Sequence, residues 1–200
     1  MHRINPSRPV YSALEPDPCA ETHLIVAEAE GASAVTDLFS KADSAFAERA
    51  TLLYVANSSD GDALVERLER LNAKAFRLLP DVVWLLRGLA QFLESATMGT
   101  AIYVAGTQGF IGEVALLAGT YGVGLDSLRM EHRGSLAKRV RCVHCKSIEE
   151  QVVTATVICS QCKVRLLVRD HYSHRLNAFM GVSIDAENLI EQSHGRKPVP

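Results

Sequence analysis

The chain has 200 residues, 48% of them hydrophobic and 22% charged, with a formal net charge of −2. This is ordinary globular composition with enough chain for a sizeable core, and it argues against a disordered protein. No apolar run approaches the roughly 20 residues that a membrane-spanning helix needs.

The opening stretch, MHRINPSRPVYSALEPDPCAE, carries four prolines and no apolar segment of signal-peptide type. Residues 1–21 therefore read as a Pro-rich leader. The expected compartment is the reducing cytoplasm, where lasting disulfides are rare, so Cys19 reads as a free thiol.

From residue 22 the chain alternates short apolar runs with longer amphipathic ones. HLIVAE (23–28), TLLYVA (51–56), KAFRLL (74–79), AIYVA (101–105) and SLRME (127–131) read as strands. ASAVTDLFSKADSAFAE, DGDALVERLERL, DVVWLLRGLAQFLES and QGFIGEVALLAGTYG, which lie between them, have helical periodicity. In the third of these, Val82, Val83, Leu85, Leu86, Leu89, Phe92 and Leu93 share one broad face. Asp60 and Asp81 stand where N-caps belong, and Gly122 and Gly124 stand where the chain must turn after a helix. Strands alternating with helices predict an α/β fold: a five-stranded parallel sheet of Rossmann type, covered on both faces.

The landmarks EGASAV, LLYVANSSD, IYVAGTQGFIGEVALLAGTYGV and LRMEHRG occur in an order that resembles the pyridine-nucleotide domain of ferredoxin-reductase-type flavoenzymes, over residues 22–134. In that family a strand ends in Cys-Gly-Pro, a glycine-aromatic pair opens the next helix, and a later strand closes on a Glu. Gly106, Gly109-Phe110 and Glu131 match these positions. The departures matter more. The family's first turn is glycine-rich, so that backbone N–H groups reach a dinucleotide phosphate. Here it reads Ala27-Glu28-Ala29-Glu30-Gly31-Ala32, with two carboxylates where the phosphate would come. Like charges at about 5 Å cost roughly 1 to 3 kcal/mol at intermediate dielectric. Ala105 stands for the family's cysteine and Thr107 for its proline, and the stretch before the first strand is too short for a flavin-binding barrel. The expectation is a reductase-type domain with a degenerate cofactor turn (Glu28, Glu30, Gly31; Gly106, Thr107).

RCVHCKSIEEQVVTATVICSQCK (141–163) has a different chemistry. Cys142, Cys145, Cys159 and Cys162 form C-x2-C-x13-C-x2-C, close to zinc-ribbon spacing. Each Cys-x-x-Cys makes a knuckle that aims two thiolates inward, and so small a piece would draw folding energy from the metal. Disulfides and free thiols are the alternatives. Zinc is favoured over iron, because Lys146 and Lys163 follow the knuckles where a rubredoxin-like site has glycine or an aromatic. QVVTATVI and KVRLLVRD read as strands, and DHYSHRLNAFMGV (170–182) reads as a helix capped by Asp170, with Tyr172, Leu176, Phe179 and Met180 on one side. His171 and His174 offer a spare pair of ligands beside a site the cysteines already complete. The expected order is leader 1–21, reductase-type domain 22–134, ribbon and helix 135–182, and tail 183–200.

Charge is unevenly divided. Residues 1–131 hold 10 Lys and Arg against 17 Asp and Glu, whereas residues 132–180 hold 9 against 3. Either the basic part, including Arg139, Arg141, Lys163, Arg165 and Arg169, meets an acidic partner, or the two parts neutralise each other. Nucleic-acid binding is a second class of reading, opposed by the missing series of stacking aromatics and the acidic first part. A rubredoxin-linked NAD(P)H electron-transfer protein is a third, opposed by the missing glycines.

The two-part order, the leader RPVYSALEPDP and the segment DHYSHRLNAFMGVSIDAE together resemble the small accessory (A) subunit of dimethylamine monooxygenases. The resemblance implies a subunit of a multi-component oxygenase that consumes NADPH and O2 and demethylates dimethylamine to methylamine and formaldehyde. It also implies partner subunits that carry flavin, an iron–sulfur group and haem. This chain would be structural or assist electron transfer, with no catalytic residue of its own.

Overall fold

A computed structural model describes residues 9–57 and 61–184. They divide into two compact units, residues 10–135 and a second that starts at Leu136.

The first unit is built on five strands: β1 (Thr22–Glu28), β2 (Ala50–Val55), β3 (Ala75–Leu79), β4 (Thr100–Gly106) and β5 (Leu128–His132). They are all parallel, in the order β3-β2-β1-β4-β5. Central strands of such a sheet are buried on both faces, which is why HLIVAE and AIYVA are nearly unbroken apolar runs. On β1, Ile25 and Ala27 join the core on one face, while Leu24 and Val26 join the core on the other.

The helices are α1 (Gly31–Lys41), α2 (Phe46–Arg49), α3 (Gly61–Glu69), α4 (Val82–Leu93) and α5 (Gln108–Thr120). One helix was expected across 32–48, but two form. The chain leaves the helical region at Ala42, which lets Phe46 turn inward, edge-on to Phe39 and stacked on His23 at 4.1 Å. The contacts Phe46 gains there outweigh the lost helical turn. On α4, Leu85, Leu89 and Leu93 are buried and Val82, Leu86 and Phe92 pack half-buried beside them, so of the expected face only Val83, 59% exposed, points away. Asp81 caps α4 by accepting from Trp84 N, while Asp60 lies outside the described residues. Gly122 takes φ +81° at the end of α5, with Val123 N donating back to Ala118 O, whereas Gly124 has an ordinary φ.

Residues ahead of β1 pack on this sheet. Ser12 N donates to Met130 O, Leu14 is buried, and Asp17 pairs with Arg129 at 2.6 Å.

The second unit is a mixed sheet of β6 (Lys138–Cys142), β7 (Ile148–Val152), β8 (Thr156–Ile158), β9 (Arg165–Ser173) and β10 (Ala178–Ser183), in the order β7-β6-β10-β9-β8. QVVTATVI is not one strand: it breaks after Val152, and its halves become opposite edges of the sheet. The helix expected at 170–182 is absent too. That segment is the end of β9, a short 3-10 turn (His174–Leu176) and β10. Tyr172, Leu176 and Phe179 satisfy a helical period, but Tyr172 and Phe179 also pair across the β9–β10 ladder. There they close a core with Val140 and Val152. Asn177 makes the reversal, with φ +46° and its side chain accepting from Tyr172 Oη at 2.7 Å.

Candidate metal centre

The two hairpins of the second unit each end in a Cys-x-x-Cys knuckle, β6–β7 in one and β8–β9 in the other. The knuckles are built alike. Cys142 N donates to Ser147 O and Cys159 N to Val164 O, both at 2.9 Å. Lys146 N and Lys163 N donate back to Cys142 O and Cys159 O, both at 3.0 Å. To close these turns Lys146 and Lys163 adopt φ +70° and +61°, the left-handed region in which glycine has no steric cost. The lysines thus take the conformation of the glycines that are missing from the sequence. Gly181 on β10 runs beneath: a Cβ there would lie 2.8 Å from Val140 Cγ1, and its carbonyl accepts from Val143 N.

All four sulfurs lie within 4.8 Å of one another, with Cys142–Cys162 at 3.8 Å and Cys145–Cys159 at 3.5 Å. A tetrahedron with metal–sulfur bonds of about 2.3 Å sets its sulfurs roughly 3.8 Å apart, so the cluster fits a four-thiolate ion. A disulfide needs about 2.05 Å, and none of the four is in one. Cys142 and Cys159 are buried with Leu166, whereas Cys145 is exposed. His171 and His174 are not among the clustered ligands.

Two of the sulfurs are shifted in opposite directions. Hydrogen bonds from Ser147, side chain first and then backbone, draw Cys145 down to about 6. At Cys162 the backbone N–H of Val164 lowers the pKa, but partial burial and the other three sulfurs outweigh it and push the thiol up to about 12. Crowded thiolates repel one another, and a divalent cation among them removes that repulsion. The basic residues divide accordingly. Lys138 pairs with Asp170 and Arg139 with Glu150. Lys146 and Lys163 fold their ammonium groups onto the knuckle carbonyls of Val143 and Ser160.

The degenerate turn of the first unit lies at the carboxyl ends of β1 and β4, where the strand order reverses and such sheets bind ligands. Gly31 lets α1 start against β4, since a Cβ there would meet Ala105 O at 2.3 Å. Glu28 is buried, and its Oε1 accepts from Thr107 Oγ1 at 2.6 Å and Thr107 N at 3.2 Å. Thr107 is the N-cap of α5, so the carboxylate sits at the start of that helix. Gly106 makes room for it: a Cβ would lie 2.7 Å from Glu28 Cγ. Glu30 stands at the N-cap position of α1 without a side-chain cap bond. Beside them Glu131 is buried, accepting from Leu14 N at 2.7 Å and Arg133 Nε at 2.7 Å. Burial first, then the charges of Glu30 and Glu28, push Tyr54 up to about 12. The sequence marks these carboxylates but not the bond between Glu28 and Thr107.

Among the described residues no helix is long and apolar enough to cross a membrane. The family model described as "Dimethylamine monooxygenase subunit DmmA-like, N-terminal domain" matches residues 3–128, and the corresponding C-terminal domain model matches residues 139–182. A relative from Ectopseudomonas mendocina (strain ymp), named "Heme-dependent oxidative N-demethylase delta subunit", is 31% identical over 134 residues, 66% of this chain and 77% of the relative. Two solved cytochrome P450 structures are also similar. Full-length CYP116B46 from Tepidiphilus thermophilus is 19% identical at TM-score 0.44, over 70% of this chain and 20% of that one. An intact type IV self-sufficient P450 monooxygenase is 18% identical at TM-score 0.44, over 82% and 21%.

Proposed function

The chain belongs to the dimethylamine monooxygenase subunit DmmA-like family, and on that premise we propose that it is an accessory subunit of an N-demethylating monooxygenase complex. The reaction in this reading is the oxidative demethylation of dimethylamine to methylamine and formaldehyde with NADPH and O2. Flavin, the iron–sulfur group and haem reside on partner subunits in the cytoplasm. The 31% identity to a subunit named for a heme-dependent N-demethylase supports this assignment.

The observation that carries the subunit role is the bond from Thr107 to Glu28. In a reductase-type domain the start of α5 is a place for a cofactor; here the chain's own carboxylate takes its donors. The domain serves as a scaffold rather than a hydride-transfer site. Cys142, Cys145, Cys159 and Cys162 hold one zinc ion, which four thiolates bind as a closed structural centre with no open position for substrate. The protein's own residues then only shape and orient that module.

Co-expression with the haem-bearing subunit tests the assignment. The expected result is co-elution of the two, with demethylase activity lost when this chain is omitted. Full activity without it would end the subunit reading. Elemental analysis should give one zinc per chain.

A further inference from the structure

The two knuckles share one backbone turn but differ where the chain leaves it. The second residue after the closing cysteine is Ser147 in the first and Val164 in the second. The carbonyls of both accept from the opening cysteines. Only the serine adds a side-chain polar group, and it lies 3.1 Å from Cys145 Sγ and 3.1 Å from Cys159 Sγ, one sulfur from each hairpin. Two residues on, Glu149 Oε1 accepts from Ser160 N at 2.8 Å and Ser160 Oγ at 3.0 Å in the opposite knuckle. Because β7 and β8 are opposite edges of the sheet, no ladder joins them directly. Side chains of the first hairpin therefore grip the second.

We infer that Ser147 is a positioning residue for the metal centre: its hydroxyl donates to a thiolate and holds Cys145 and Cys159 at bonding distance across the two hairpins. This rests on the metal reading above. A hydroxyl has one proton, so it serves one sulfur at a time while its oxygen packs against both. Donation to a metal-bound thiolate withdraws electron density from the sulfur and fixes its direction. Outer-shell partners of this kind are worth roughly 10- to 100-fold in metal affinity. Valine at the corresponding position of the second knuckle can do neither.

The test uses the full chain with Ser147→Ala and Ser147→Thr, titrated with zinc against a competing chelator. The thiolate-to-metal absorption of the cobalt-substituted proteins is recorded alongside. The alanine variant should bind zinc about 10- to 100-fold more weakly, with a shifted cobalt band, and the threonine variant should recover both. Alanine affinity within about threefold of the parent with an unshifted band would overturn the inference, as would a loss that threonine fails to restore. A parent chain that takes up no metal would instead sink the metal reading itself.

Discussion

The first unit and the second hold their shape by different means, and the difference says which of them depends on its site. In residues 10–135 two apolar layers, one on each face of the sheet, bury residues such as Leu52, Tyr54, Leu24 and Val104 almost completely. A fold with that much core keeps its shape without a ligand, so a carboxylate at the phosphate turn costs binding and not folding. The second unit has Val140, Val152, Tyr172 and Phe179 in one small cluster and two cysteines with Leu166 in the other. So little apolar area rarely supports a module alone, and the four sulfurs become part of its stability.

The largest effect should follow from removing one of the four clustered cysteines. Cys145→Ser, or a strong chelator, should unfold the second unit and leave the first folded. Amide exchange should read this as lost protection in β6–β10 with β1–β5 unchanged. Collapse of both units together would show that the first does not stand on its own core.

A second consequence concerns nucleotides. With Glu28 on Thr107, titration of NADPH should give a dissociation constant no tighter than about 1 mM, roughly −4 kcal/mol. Micromolar binding would mean that the carboxylate yields its place to a phosphate, and the scaffold role would fall.

Much of this was legible in the sequence, for identifiable reasons. β1, β2 and β4 are buried along nearly their whole length, and strands covered on both faces leave continuous apolar runs. The knuckles are legible because two sulfurs from one turn fix a spacing of three. The segment 170–182 misled because apolar residues at 172, 176 and 179 fit both a helix and a reversing strand pair, and only the seat of β10 between β6 and β9 decides. The roles of Ser147 and Glu28 depend on partners 12 and 79 residues away, which no local spacing records.

A smaller effect is expected from pH in the first unit. His23 is 1% exposed, its Nδ1 sits 3.2 Å from Tyr103 Oη, and its Nε2 has no partner. Burial lowers its pKa; Arg49 and Arg129 add to this, and Asp17 and Asp43 oppose it. The neutral ring is therefore the form the fold accepts. Stability from this group is complete above the unfolded value of about 6.5 and is lost as pH falls from there through the lowered folded pKa. Denaturant melts between pH 7 and 5 should show that slope, and His23→Phe should flatten it. An unchanged slope would assign the dependence to the carboxylates.

The smallest effect isolates the knuckle lysines, whose left-handed backbone the second unit must tolerate twice. Ala and Gly both remove the ammonium at position 146, so their difference reports the backbone alone. At φ +70° a Cβ is strained and glycine is not. Lys146→Gly should therefore exceed Lys146→Ala in stability by about 1 kcal/mol, less whatever glycine gives back in unfolded-chain entropy. The same contrast should hold at Lys163, where φ is +61° and the turn is built alike. Zinc-loaded melts of the four variants measure it. If alanine equals glycine at both positions, the knuckles do not hold these residues left-handed, and the match between lysine and the missing glycines fails.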